Sequence, residues 1–217
     1  MKIQNLTFGY GDRNLFENFN IEFESGKTTA ILGKSGVGKT TLLKITSGLI
    51  ETKHKFDSPV AFVFQEPMLV SHLTVKQNLT LIGASEEEVE KMLNDFEMAD
   101  KANAYPNALS GGEKQRINLL RAFLSKREII LLDEPFSSLD FPLKLKLIKT
   151  TNKYQEERKC SIIFVTHDIE EALMLSHRVV LLSSNQVVLD MPLSGSPVDR
   201  NYGENSIERQ NILKCYK

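Results

Sequence analysis

Along the first 25 residues apolar side chains recur at near-alternate positions. Ile3, Leu6 and Phe8, then Phe19, Ile21 and Phe23, flank a Gly9-Tyr10-Gly11-Asp12 turn. Period-two alternation predicts half-buried antiparallel strands. The pattern then changes to short, unbroken apolar runs at Thr28–Leu32, Val60–Phe64, Ile129–Leu132 and Ser161–Val165. Runs of this kind suit strands of a parallel sheet covered on both faces. Helical patterns lie between them. One runs from Leu42 to about Gly48, a suitable C′ residue. Residues 74–108 read as helical, as does the amphipathic stretch after Ser110 carrying Ile117, Leu120, Phe123 and Leu124. Pro142 suits the first turn of another helix, and Ile169–Ser176 and Ser206–Lys214 complete the set. Within 74–108, Ser85 and Glu88 have capping-box spacing. Val89, Met92, Leu93 and Phe96 then fall at i, i+3, i+4 and i+7 on one face. Glu86, Glu87 and Glu88 suit the positive end of that helix rather than a metal. Two short strands, Val179–Leu182 and Val187–Leu189, precede a polar tail from Ser194.

The chemistry concentrates at the ends of the apolar runs. Gly33-Lys34-Ser35-Gly36-Val37-Gly38-Lys39-Thr40-Thr41 sits between a strand and a helix, the context in which G-x-x-x-x-G-K-[ST] is a phosphate loop. Glycines let successive N–H groups turn into one concavity, and the following helix adds its positive end. Lys39 is placed for β- and γ-phosphates, the Thr40 hydroxyl for Mg²⁺ and Thr41 for an α-phosphate oxygen. Gln65 ends a second strand, where open α/β sheets put ligand groups. Asp133 and Glu134 end a third. In a phosphate-loop protein the first carboxylate holds Mg²⁺ and the second is placed to polarise a water. His167 is the histidine that ends a core strand, whereas His54, His72 and His177 read as loop or helix residues. Ser110-Gly111-Gly112 opens a helix with uncovered amides, which is either a second anion site or a cap with close-packing glycines. Tyr10, on a glycine-flanked turn, either stacks on an adenine or packs on the surface.

Composition narrows the picture slightly. The chain has 217 residues, 41% hydrophobic and 25% charged, enough for one domain with a lobe inserted. A formal charge of −1 gives no basic excess for nucleic acid. Cys160 and Cys215 lack metal-ligand spacing and fit a reducing compartment, with Cys160 expected in the packing. No signal-peptide pattern or membrane-length apolar run is read, so the expected location is cytoplasmic. No internal repeat is apparent.

Taken together, these motifs resemble the ATP-binding cassette of ABC transporters over essentially the whole chain. Residues 33–40 match Walker A, Gln65 the Q-loop and Leu109-Ser110-Gly111-Gly112 the signature sequence of that family. Ile129–Glu134 match Walker B with its catalytic glutamate, Ser137–Asp140 the D-loop and His167 the switch histidine. Tyr10 falls where the family puts its adenine-stacking aromatic. The resemblance implies a phosphate-loop NTPase of α/β class with a RecA-like mixed sheet flanked by helices. It adds an N-terminal antiparallel β subdomain and an inserted helical subdomain over about residues 70–125, within a single domain spanning 1–217. It implies ATP and Mg²⁺ as cofactors, Glu134, His167 and Lys39 as catalytic residues, and Thr40, Gln65 and Asp133 at the metal. The nucleotide would touch Tyr10, Gly33 to Thr41, Gln65 and Asp140, with Ser110, Gly111 and Gly112 supplied by the other subunit. The implied assembly is a head-to-tail dimer holding two ATP molecules, peripheral on the inner face of a cell membrane. It would serve a separate permease and, indirectly, an extracytoplasmic solute-binding protein.

Three departures stand out. Glu113 replaces the commoner Gln of the signature, Val37 a small polar residue, and the stretch from Lys39 to Gln65 is short, as though a surface hairpin were trimmed. Gln65-Glu66-Pro67 and Thr166-His167-Asp168-Ile169-Glu170-Glu171-Ala172 look like a bacterial importer ATPase, most similar to the nitrate/sulfonate/taurine group, which includes thiamine-precursor systems. Met68, Leu69 and Val70 are then either the groove for a permease helix or local packing. The alternatives are the ATPase of an exporter or lipoprotein-release system, and a non-transport cassette. The short distance from Gln65 to Ser110 leaves no room for the coiled-coil arm of a cassette acting on DNA.

Overall fold

The structure is a computed structural model describing residues 1–203 and 206–216; Glu204, Asn205 and Lys217 lie outside it. Strands β1 (Lys2–Tyr10) and β2 (Arg13–Glu22) pair antiparallel as a sheet of their own. Ile3 faces Ile21 across it, Leu6 faces Phe19, and all four are buried. That is the outcome expected of alternation with one face on a core. The main sheet has the order β4 (Val60–Val63), β5 (Ile129–Asp133), β6 (Ser161–Thr166), β3 (Thr28–Gly33), β7 (Arg178–Ser183), β8 (Gln186–Pro192). Its first five strands are parallel, and β8 returns antiparallel to β7. Ser184 and Asn185 make that return with φ of 48° and 64°, the left-handed pair that a two-residue hairpin turn requires.

Helices cover the sheet: α1 (Lys39–Ser47), α2 (Val75–Thr80), α3 (Glu86–Asp95), α4 (Gly111–Leu124), α5 (Phe141–Arg158), α6 (Ile169–Leu175) and α7 (Ser206–Cys215). Alternate residues of each strand enter different cores. Ile130, Leu132, Ile162 and Phe164 pack with Leu120, Phe123, Leu147 and Leu173 of α4, α5 and α6. Ile129, Leu131, Ile163 and Val165 pack with α1 and the β1–β2 pair. Burial on both faces is why these runs show no alternation.

The stretch 74–108, expected to be helical, is broken. Gly83 (φ 83°) follows α2 and Glu97 (φ 54°) follows α3, and a left-handed residue cannot continue a right-handed helix. What remains are two 3-10 turns, Ala99–Lys101 and Pro106–Ala108. The capping box is present, with Ser85 and Glu88 bonded reciprocally. Val89, Met92, Leu93 and Phe96 are all buried. β4 also stops one residue early, because the Phe64 carbonyl accepts from Asn118 Nδ2 of α4 at 3.4 Å. Buried Asn78 pins the preceding loop. Its side chain accepts from Val70 N–H at 2.8 Å and donates to the carbonyls of Val70, Leu73 and Thr74 at 3.0–3.1 Å. Met68 stays exposed on that loop, while Leu69 packs against the core.

Because β5, β6 and β3 are neighbours, their carboxyl ends bring Asp133, Thr166 and Gly33 to one edge of the sheet. Crevices at that edge are where open α/β sheets bind ligands.

Candidate functional site

At this edge lies a cleft of about 550 Å³, within the size range of ligand pockets. One wall is the glycine-rich loop, contributing Ser35, Gly36, Gly38, Lys39, Thr40 and Thr41. Opposite stand Gln65, Glu134 and His167, with Tyr10 and Leu15 at the β1–β2 end. Leu15 carried no motif and was not legible as a lining residue. Its place follows from Gly38, which has φ 103°; an added Cβ would lie 2.8 Å from Phe16 Cζ and 3.2 Å from Leu15 Cγ. Glycine alone lets β2 press on the loop this closely.

The loop is held by its own lysine. Lys39 Nζ donates to the Gly33 carbonyl at 2.6 Å and the Lys34 carbonyl at 3.2 Å. Burial holds its ammonium below the usual lysine range, while the charges of Glu134 and Asp133 act the other way. Thr40 Oγ1 donates to Asp133 Oδ1 at 3.0 Å. Asp133 is buried, and desolvation raises its carboxyl above the usual range against that hydrogen bond. A hydroxyl and a desolvated carboxylate, converging beside a lysine, make a donor set that a hard cation completed by phosphate oxygens and water satisfies.

Glu134 has a left-handed backbone, φ 47°, held by its N–H donating to the Val165 carbonyl at 3.1 Å. This turn aims its side chain into the cleft, where Oε2 lies 2.9 Å from His167 Nδ1. His167 is 68% exposed at its side chain and Glu134 only 13%, so the histidine faces open space while the carboxylate is largely covered. Tyr10 is exposed and rests edge-on against Phe8, ring centroids 5.1 Å apart.

Other candidates sit elsewhere. Val37 is buried among the β2 and α1 side chains, so no side-chain hydroxyl is missed there, and its N–H reaches back to the Lys34 carbonyl. Gly33 is closely packed, an added Cβ lying 2.7 Å from the Leu182 carbonyl oxygen. Neither Gly33 nor Lys34 lines the cleft. Asp140 caps α5, accepting from Leu143 N–H at 3.1 Å. Ser110, Gly111 and Gly112 open α4 away from the cleft of their own chain. Glu113, a departure from the commoner Gln of the signature, closes a capping box. Its carboxylate accepts from Ser110 N–H at 2.7 Å, and Ser110 Oγ accepts from Glu113 N–H at 3.2 Å. The Ser-x-x-Glu spacing recognised at Ser85 was equally present here. Of the remaining histidines, His177 accepts from Thr28 N–H at Nδ1, and burial pushes it down to about 4.

A family profile described as ABC transporter matches residues 16–137, which spans the loop, Gln65, Ser110–Gly112 and the Asp133–Glu134 pair. The chain belongs to the ABC transporter family. Among relatives, it is 36% identical to the aliphatic sulfonates import ATP-binding protein SsuB 1 of Paracoccus denitrificans, over 87% of this chain and 81% of that one. It is 34% identical to SsuB of a Mycobacterium species, over 95% and 88%. The sulfate/thiosulfate import ATP-binding protein CysA of Escherichia coli is 36% identical over 86% of this chain, which spans only 58% of that protein's length. Among solved structures, a dimeric post-hydrolysis state of an ATP-binding cassette bound to ADP and Pi superposes with a TM-score of 0.79 at 28% identity. It covers 89% of this ABC transporter chain and 99% of its own. The fold is thus the cassette fold, a mixed sheet between helices with an antiparallel β pair at the N-terminal end. Among the described residues, no helix is long and apolar enough to cross a membrane.

Proposed function

We propose that this chain is the ATP-hydrolysing subunit of a bacterial ABC importer. Two copies close head to tail on two ATP molecules, and closure drives a separate permease on the cytoplasmic face of the membrane. An extracytoplasmic solute-binding protein belongs to the same system without touching this chain. The whole of residues 1–217 serves as one nucleotide-binding domain, with residues 70–125 as its helical subdomain. The observation that carries this reading is the Glu134–His167 pair, 2.9 Å apart and facing the glycine-rich loop across one cleft. The import roles in the names of the sulfonate and sulfate relatives support the direction of transport.

In this reading the amides of the loop around Ser35, Gly36 and Gly38 receive phosphate oxygens at the N-terminus of α1. Lys39 swings from its two carbonyls to the β- and γ-phosphates. Thr40, Asp133 and Gln65 would hold magnesium, which would supply charge neutralisation at the phosphate oxygens. Glu134 orients a water and takes its proton, and His167 holds the carboxylate that does so. Ser110–Gly112 of the second copy close the site from the far side, which accounts for their absence from the cleft of their own chain. Purified protein is expected to hydrolyse ATP only with magnesium; turnover that survives complete chelation would rule out the metal position at Thr40 and Asp133.

Tyr10 takes the adenine on its exposed face. Tyr10→Ala is expected to weaken ATP binding by about 1–3 kcal/mol, the usual worth of base–aromatic stacking. Calorimetry reads this directly, and an unaltered Kd would leave Tyr10 as a packing partner of Phe8.

A further inference from the structure

The turn that carries His167 is tied to α5 by a network that the proposed chemistry does not use. Lys144, in the opening turns of α5, places Nζ 2.6 Å from Glu171 Oε1 and 3.1 Å from Asp168 Oδ2. Glu171 is 2% exposed, and its other oxygen accepts from Thr166 Oγ1 at 2.6 Å. The same hydroxyl accepts from Asp168 N–H at 3.1 Å. Asp168 Oδ1 in turn caps α6 through the N–H groups of Glu170 and Glu171. The residues on either side of His167 are therefore both bonded into one cluster, and the cation at its centre comes from another helix. At its own end, Lys144 N–H donates to the Asp140 carbonyl at 2.9 Å. Next to Asp140, Leu139 and the Ser138 carbonyl lie so close to Gly112 that a Cβ there would meet them at 3.1 and 3.3 Å.

An ion pair between two helices with its acid buried and its lysine partly covered serves packing wherever it lies. This one brackets the residue bonded to Glu134 and joins it to the segment that touches the start of α4. Taking Glu171 out of water raises its carboxyl above the usual range, and Lys144 opposes that, so removing the lysine leaves a buried acid without its counter-charge.

We propose that Lys144 is a positioning residue for His167, clamping the turn Thr166–Glu171 to the start of α5 so that His167 keeps its geometry against Glu134. The inference rests on the function proposed above and deepens it. Lys144 touches no reacting atom; it acts through His167.

A double-mutant cycle on ATP turnover tests this. Lys144→Met is expected to lower kcat between about 10- and 100-fold, the scale of a small misplacement of a catalytic group, with KM within about twofold. Lys144→Arg, which keeps the cation, is expected to restore most of the loss. In a His167→Ala background, Lys144→Met is expected to cost nothing further, because a residue acting through another is non-additive with it. A double variant slower than His167→Ala by the full Lys144→Met factor overturns the clamp, as does a Lys144→Met effect on KM alone. If His167→Ala turns over at the wild-type rate, the clamp and the parent reading fall together; a slow His167→Ala with additive effects sinks the clamp only. Should Lys144→Met lose its cooperative melt, Asp168→Asn takes its place in the same cycle, since it leaves the Lys144–Glu171 pair intact.

Discussion

Glu134→Gln is expected to bind ATP as the wild type does and to lose turnover by at least about 100-fold, the contribution of a general base. The two side chains have the same shape, and the glutamine amide still bonds His167 across the 2.9 Å separation. The left-handed backbone and its hydrogen bond to Val165 are unchanged. What disappears is the ability to accept a proton from water. In the proposed function hydrolysis removes the charge shared between two copies, so this variant is also expected to accumulate as an ATP-dependent dimer. Size-exclusion chromatography with and without ATP and magnesium reads the dimer, and phosphate release reads the turnover. Wild-type turnover in this variant would show that another group takes the proton. A variant that remains monomeric under all nucleotide conditions, with its permease supplied, would remove the two-copy site itself.

Lys39→Ala is the second large effect. The ammonium is buried, held by two backbone carbonyls, and sits below the usual lysine range because burial disfavours its charge. A phosphate arriving in the cleft adds a negative partner close to Lys39, where Glu134 and Asp133 already favour the charge against burial. Charge-assisted hydrogen bonds of this kind contribute about 1.5–3 kcal/mol each, and two phosphates are in reach of one ammonium. The expected loss of ATP affinity is therefore about 100-fold or more, seen by calorimetry. A circular dichroism melt establishes that the loop variant is folded, and unchanged affinity in folded protein would refute the assignment.

Much of this site was legible because its residues announce themselves locally. The loop at 33–40, Asp133–Glu134 and His167 each follow an apolar run, and a strand-end position needs only a few neighbouring residues to recognise. The N-terminal pair was readable for the same reason, since Ile3, Leu6, Phe19 and Ile21 alternate. The helical reading of 74–108 failed at two left-handed residues: Gly83, a breaker that stands in the sequence just before the Ser85 cap, and Glu97, a non-glycine residue that no propensity signals. Asp140 reads as a nucleotide contact by resemblance; before Phe141-Pro142 it also has the pattern of a helix cap, and within one chain its Oδ1 caps α5. Glu113 read as a departure from a motif although the local spacing already explained it. Leu15 and Lys144 were invisible for a different reason. Their roles come from partners far along the chain, Gly38 in one case and Glu171 in the other, and spacing carries no information about such pairs.

The twist at residue 134 has a cost of its own. A side chain with a Cβ resists φ near +47° by about 1–2 kcal/mol, and glycine does not. Selection for heat resistance alone would favour emptying this position, whereas selection for work would refill it. If Glu134 is the base proposed above, the protein is held away from its own stability optimum at that residue.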